Sequence, residues 1–173
     1  MGDRVDDAFV RRFVEDWVGA VNRGDIDSLL AVCTEDVKFK DPAYPDPFEG
    51  KAATREILAV IFEAFPDMRF RLVGDPFLSL DGSRAGIRRE ITATMSGALE
   101  PPGFAPTGAP IRVDAAEFYE FSGGLVSDVE LMFDMLDLGR QIGAAPQVGS
   151  AADRLGVRMQ RRKAKRLRRA VAT

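Results

Sequence analysis

IRVDAAEFYEFSGGLVSDVELMF, residues 111–133, is the stretch whose reading decides the fold. It predicts a strand over 111–121, a turn at Ser122-Gly123-Gly124 and a strand over 125–133. Alternation puts Ala115, Glu117 and Tyr119 on one face of the first strand. On the second, Val129, Leu131 and Phe133 share a face opposite Asp128 and Glu130. An apolar face turned to a core and an acidic face turned to water is the signature of a half-buried antiparallel sheet.

Working outward, residues 84–96 read as another long strand and 97–110, rich in Gly and Pro, as a loop. Residues 68–80 read as a strand interrupted at Asp75-Pro76, with Asp81-Gly82 as the hairpin turn after it. The first third has helical periodicity instead. Phe9, Val10, Phe13, Val14, Trp17, Val18 and Val21 form a stripe over 7–23, started by Asp6 or Asp7 and ended at Gly24. Short helix 26–33 follows, capped by Asp25, then a short strand over 37–40. Three prolines between Asp41 and Pro47 dictate a stiff loop. A third helix spans about 51–65, with Ile57, Leu58, Ile61, Phe62 and Phe65 as its stripe and Pro66 as its stop. Met135 to Ile142 reads as a terminal turn of helix, which Asp134 is suited to cap. Helices first and antiparallel strands after them give an α+β domain over 1–143. Residues 144–173 read as a linker and a basic C-terminal tail, partly helical or disordered.

Composition narrows the chemistry. The chain has no histidine, so Ser–His–Asp and Cys–His catalysis and His-bearing zinc sites are excluded. Acid–base work falls to Asp, Glu, Tyr, Lys or ordered water. Cys33 is the single cysteine and closes an apolar run, where burial is expected. That, with an acidic N-terminus lacking an apolar h-region, predicts a cytoplasmic protein. No apolar run approaches membrane-spanning length, so no membrane insertion is expected. Nothing in the motif content predicts a cofactor or a structural metal. Of 24 Lys and Arg, nine lie from residue 144 onward with one acid, Asp153. The tail therefore carries +8 and the body −11. Nucleic acid or an anionic surface is a partner only through this tail, which reads otherwise as a solvated arm.

Three segments resemble known families. Residues 17–25 (WVGAVNRGD), with Phe39-Lys40-Asp41-Pro42 and Gly50-Lys51-Ala52-Ala53, resemble the front half of ketosteroid isomerases. Pro106-Thr107-Gly108 is similar to a segment of SnoaL-like polyketide cyclases. Phe133-Asp134 with Arg140-Gln141-Ile142-Gly143 resembles the ending of that group. The resemblance covers about residues 9–143 and implies a nuclear transport factor 2-like fold. That fold is a cone-like, curved, mostly antiparallel sheet packed against three N-terminal helices around one pocket. It implies a hydrophobic small-molecule ligand and a homodimer.

The resemblance also assigns roles. Asp41 matches the isomerase general base, and an apolar mouth of Tyr44, Pro45 and Phe48 would raise its pKa; alternatively Asp41-Pro42 only starts a turn. Trp17 stands where the isomerase has an oxyanion-hole tyrosine, or is simply core. Glu117 falls where the isomerase has a protonated acid, or is a surface glutamate. Arg88 and Glu90, two apart on one strand, resemble the Arg-x-acid pair of limonene-epoxide hydrolases; Leu131 stands where those enzymes carry a further aspartate, which argues against their mechanism. The ligand-binding set is then Trp17, Tyr44, Phe48, Phe62, Tyr119, Leu131 and Phe133. These readings lead to a cofactor-independent polyketide cyclase or steroid delta-isomerase-like proton-transfer enzyme. The rivals are a non-catalytic binder of the same fold and a dimeric interaction module with a polyanion-binding tail.

Overall fold

The computed structural model describes residues 4–171. Helix α1 (Asp7–Arg23) starts where the Asp6 carboxylate accepts the Phe9 N–H and ends at Gly24, whose φ of 65° only glycine adopts without strain. Its buried face, including Phe13, Val14 and Trp17, packs toward the sheet. Helix α2 (Ile26–Ala31) is capped by Asp25 and leads into strand β1 (Cys33–Lys40). The two-residue β2 (Phe48–Glu49) precedes α3 (Gly50–Ala64). After β3 (Arg69–Leu72) and β4 (Phe77–Leu78) come the long β5 (Arg84–Thr94), β6 (Pro110–Ser122) and β7 (Leu125–Phe133). Helices α4 (Met135–Gln141) and α5 (Ala151–Val171) complete the described chain.

These strands form one open, seven-stranded sheet in the order β2-β1-β7-β6-β5-β3, with β4 also on β5. Neighbours run antiparallel except β1 and β7, which are parallel. The sheet curves around a core to which α1 and α3 contribute most of the helical side chains. The α+β architecture is the one the sequence predicts.

Two differences are informative. Strand β1 begins at Cys33, where the apolar run predicts the end of helix α2. A register shift between Cys33 and Lys38 breaks the alternation there, so only the 37–40 segment carries a strand signal. Cys33 is buried, its thiol donates to the Leu29 carbonyl at 3.3 Å, and desolvation pushes its pKa up to about 11. Pro76 does more than interrupt a strand: β3 and β4 are separate pieces, each paired with β5.

Helix α3 ends against the loop after β5. Both Ser96 and Gly97 donate their N–H to the Ala64 carbonyl at 3.0 Å, satisfying a helix C-terminus. A Cβ on Gly97 would lie 2.4 Å from the Glu63 carbonyl oxygen, a backbone atom with no freedom to yield. Gly97→Ala is therefore expected to destabilise the fold by about 1–3 kcal/mol, read as a lowered urea midpoint with an unchanged m-value.

Candidate functional site

On the helix-covered side of the sheet lies a cavity of about 100 Å³. Helix α3 walls it with Leu58, Ile61 and Phe62, and the strands with Ile91, Val113, Leu131 and Phe133. Asp41, Arg89 and Glu117 are the ionisable residues among these hydrocarbons, with Tyr44 near them.

Sheet register explains how the charges meet. In the β5–β6 ladder Glu117 lies opposite Ile87, and Arg89 opposite Ala115. The two are thus diagonal neighbours on the inner face, within reach of a long side chain. The Arg89 Nη1 forms an ion pair with Glu117 Oε2, both side chains being essentially without solvent contact. The same Oε2 accepts the Tyr119 hydroxyl at 2.5 Å. The guanidinium lies over the Phe70 ring, its carbon 3.7 Å from the ring centroid, a cation–π contact. The Arg89 Nε–H is buried and has no partner among the described residues. Burial and the Glu117 charge together hold the Tyr119 hydroxyl far above its ordinary pKa, so it stays a donor.

Asp41 is the first residue past β1. Its Oδ1 accepts the Ala43 N–H at 2.8 Å, and its carbonyl accepts the Tyr44 N–H at 3.0 Å, a turn built on the aspartate. No donor among the described residues reaches Oδ2. Burial is the largest influence on this carboxyl and raises its pKa; the Glu117 charge adds to the rise, while the Ala43 N–H and Arg89 oppose it. The turn and an inward-facing carboxyl, alternatives in the sequence, coexist in one residue. Tyr44 packs edge-on against Phe48 and donates its hydroxyl to the Pro101 carbonyl at 3.0 Å, tying the loop after β5 to the Asp41 loop. Desolvation, with the Asp41 charge second, pushes the Tyr44 hydroxyl up to about 12.

Several expectations are corrected. Arg88 and Glu90 do share a strand face, but it is the outer one. Arg88 is exposed, and Glu90 pairs with Arg71 at 3.0 Å and with Arg112, contacts that hold its carboxyl below its usual value. The inward arginine of β5 is Arg89. Glu117 is not a surface glutamate: it is buried, and its Oε2 accepts from Arg89 and Tyr119. Trp17 packs on Phe13 and Tyr119 in the core and does not line the cavity. Tyr119 stands behind Glu117, and Phe48 behind Tyr44; neither reaches the cavity. The cavity does bring together Asp41, Tyr44, Phe62, Glu117, Leu131 and Phe133. Among the described residues no cluster of three His, Cys, Asp or Glu side chains is arranged to hold a metal.

Arg89 is the residue that sequence reasoning missed. A signal for it existed: it alternates with Ile87 and Ile91, so it is the lone charge on an apolar face.

An open curved sheet over helices, with one charged triad inside a greasy cavity, defines a small α+β domain of the nuclear transport factor 2-like class. The chain belongs to the SnoaL-like domain family, whose profile matches residues 10–129. Solved structures agree in fold. A candidate polyketide cyclase from Xanthomonas campestris pv. campestris superposes with a TM-score of 0.69 at 21% identity, covering 79% of this chain and 98% of that one. TsrD from Streptomyces laurentii gives 0.67 at 23% identity, covering 82% and 99%. SalBIII, an epoxide hydrolase/cyclase-like enzyme of pyran ring formation in the polyether salinomycin, gives 0.63 at 22% identity, covering 76% and 95%. At these identities the likeness is one of fold.

A buried ion pair is held by mutual need. Arg89→Met alone leaves Glu117 charged without its cation and is expected to cost about 3–5 kcal/mol. Arg89→Met with Glu117→Leu is expected to recover most of that loss, both read by urea unfolding. A double variant no more stable than the single would show that the loss comes from something other than the broken pair.

Proposed function

We propose that the cavity binds a hydrophobic cyclic carbonyl compound and that Asp41 moves a proton on the carbon next to the carbonyl. In this reading the free Oδ2 takes the α-proton, and the C–H electron pair becomes the C=C bond of an enolate. The carbonyl π pair moves to oxygen, where the Arg89 guanidinium faces the new charge. Asp41 then returns the proton to the same or a conjugated carbon, and no cofactor is consumed. Glu117 and Tyr119 position Arg89, since the carboxylate fixes the guanidinium and the hydroxyl fixes the carboxylate.

The single observation that carries this is the pairing of opposites at Asp41. The residue is nine-tenths buried, with one carboxyl oxygen uncommitted and its pKa raised by burial, beside a buried cation with an unpartnered N–H. A base needs a raised pKa and an acceptor oxygen, and an enolate needs a donor held in a dry place. Candidate polyketide cyclases among the structural neighbours share the fold that this reading needs. Arg89 supplies the polarising donor that Trp17, buried in the core, does not.

The test is deuterium uptake from D₂O at the α-carbons of hydrophobic cyclic ketones, followed by mass spectrometry. The wild-type protein is expected to accelerate uptake, and Asp41→Asn to lose at least ~100-fold of that rate while still binding the ketone. Uptake by Asp41→Asn at the wild-type rate would eliminate Asp41 as the base.

The sign of the pH dependence follows from the raised pKa. The rate falls as pH drops through the Asp41 pKa, and that acid limb lies above the ordinary aspartate value of about 3.9. Stability runs the other way: protonated Asp41 carries no desolvation penalty, so its contribution is present at low pH and lost as pH rises through the folded-state pKa. Asp41→Asn is therefore expected to be more stable than wild type at neutral pH, with the gap closing on acidification. A gap that widens below about pH 4 would contradict the burial argument.

A further inference from the structure

Helix α5 is unlike every other element of the fold. Of its residues 151–168, only Asp153 and Ala164 are even half-buried; the rest are exposed, and none belongs to the core. It follows a linker, 142–150, anchored to α4 by the Gln147 amide on the Arg140 carbonyl and the Arg140 Nε on the Pro146 carbonyl. Nothing in the core buries its apolar side, and burial of such a side is the main source of helix stability in proteins.

The charges on it are ordered. Arg154, Arg158, Arg161, Lys165 and Arg168 follow one another at steps of four and three, which places them on one face. Leu155 and Met159, four apart, and Leu167 occupy the other side, and they are 57%, 61% and 57% exposed. Arg162, Lys163 and Arg166 carry charge around the second half, and their long stems can lie along an apolar surface while the heads stay wet. The one acid, Asp153, is turned back onto the Gly149 N–H at 2.9 Å. The helix thus has an amphipathic first half and a cationic second half.

We propose that α5 lies on an anionic phospholipid surface, with Leu155, Met159 and Leu167 in the boundary between headgroups and acyl chains and the basic face among the headgroups. Three features select this occupant. The helix brings +8 from residue 144 onward to a body of −11, so attraction to an anionic surface is confined to the part that stands clear of the body. Its exposed Leu and Met side chains gain from a lipid boundary and gain nothing from a phosphate backbone. No aromatic side chain lies among the basic ones, so base stacking has nothing to work with. With Leu155, Met159 and Leu167 as the large apolar residues on that side, the attachment is peripheral and reversible. No helix among the described residues is long and apolar enough to cross a membrane. This proposal is independent of the cavity chemistry.

The test is flotation of the full-length protein with phosphatidylcholine vesicles, with and without phosphatidylglycerol. Binding is expected only with phosphatidylglycerol, and it is expected to weaken with added salt. Changing Arg154, Arg158, Arg161, Lys165 and Arg168 together to Gln should weaken it at least ~100-fold, since each cation contributes about fivefold. Leu155→Ser with Met159→Ser keeps every charge and should still weaken it about tenfold. Circular dichroism and the urea midpoint of both variants report an undisturbed body. Absence of vesicle binding, equal binding by the serine variant and wild type, or a preference for duplex DNA over the anionic vesicles would each overturn the proposal.

Discussion

Arg89 and Glu117 neutralise each other in a place where neither charge alone is tolerable. Moving a carboxylate or a guanidinium out of water costs several kcal/mol per ion even after relaxation. Here the loss is offset by one ion pair, one tyrosine hydroxyl and one aromatic face. The arrangement needs β5 and β6 in a single register, because a slip of one residue would turn Arg89 to solvent and bring Arg88 inward. The pair therefore specifies the sheet as well as furnishing the cavity. It also sets the surroundings of Asp41, whose carboxyl feels Arg89 and Glu117 in opposite senses and is left under the control of burial.

The three ionisable groups come from three different strands or strand ends. Asp41 is held by its own turn, Arg89 by Glu117 and Phe70, and Glu117 by Tyr119. Each is fixed by something other than the ligand space itself, which is how a site keeps its geometry before anything binds. Surface ion pairs such as Arg11–Asp75, both partners largely exposed, do no comparable positioning.

The fold was legible wherever a repeating pattern met a burial requirement. The alternation in β6 and β7 and the stripes of α1 and α3 each answer to one solvated and one buried face. The first half of β1 was hidden because its pairing is long-range and passes through a bulge. In the site, Asp41 stood out because Pro42 and the residues around it resemble a known motif. Arg89 did not, because Arg88 beside it offered an equally basic neighbour and the resemblance pointed at the outward pair. What separates the two arginines is a parity that the adjacent Ile87 and Ile91 already record. The coexistence of turn and inward carboxyl at Asp41 was beyond sequence, since it depends on which oxygen the turn uses.

The parallel pairing of β1 with β7 has a consequence for biosynthesis. Every other ladder is antiparallel, and several join hairpin neighbours, but β1 must wait for a partner far downstream, Cys33 meeting Val126. During translation the early strand has no edge of β7 to join until the domain is nearly all outside the ribosome. Non-local closure of this kind slows folding and leaves apolar strands uncovered meanwhile. Asp41 sits at the tip of that waiting strand, so the cavity acquires its carboxylate only once a long-range ladder has formed.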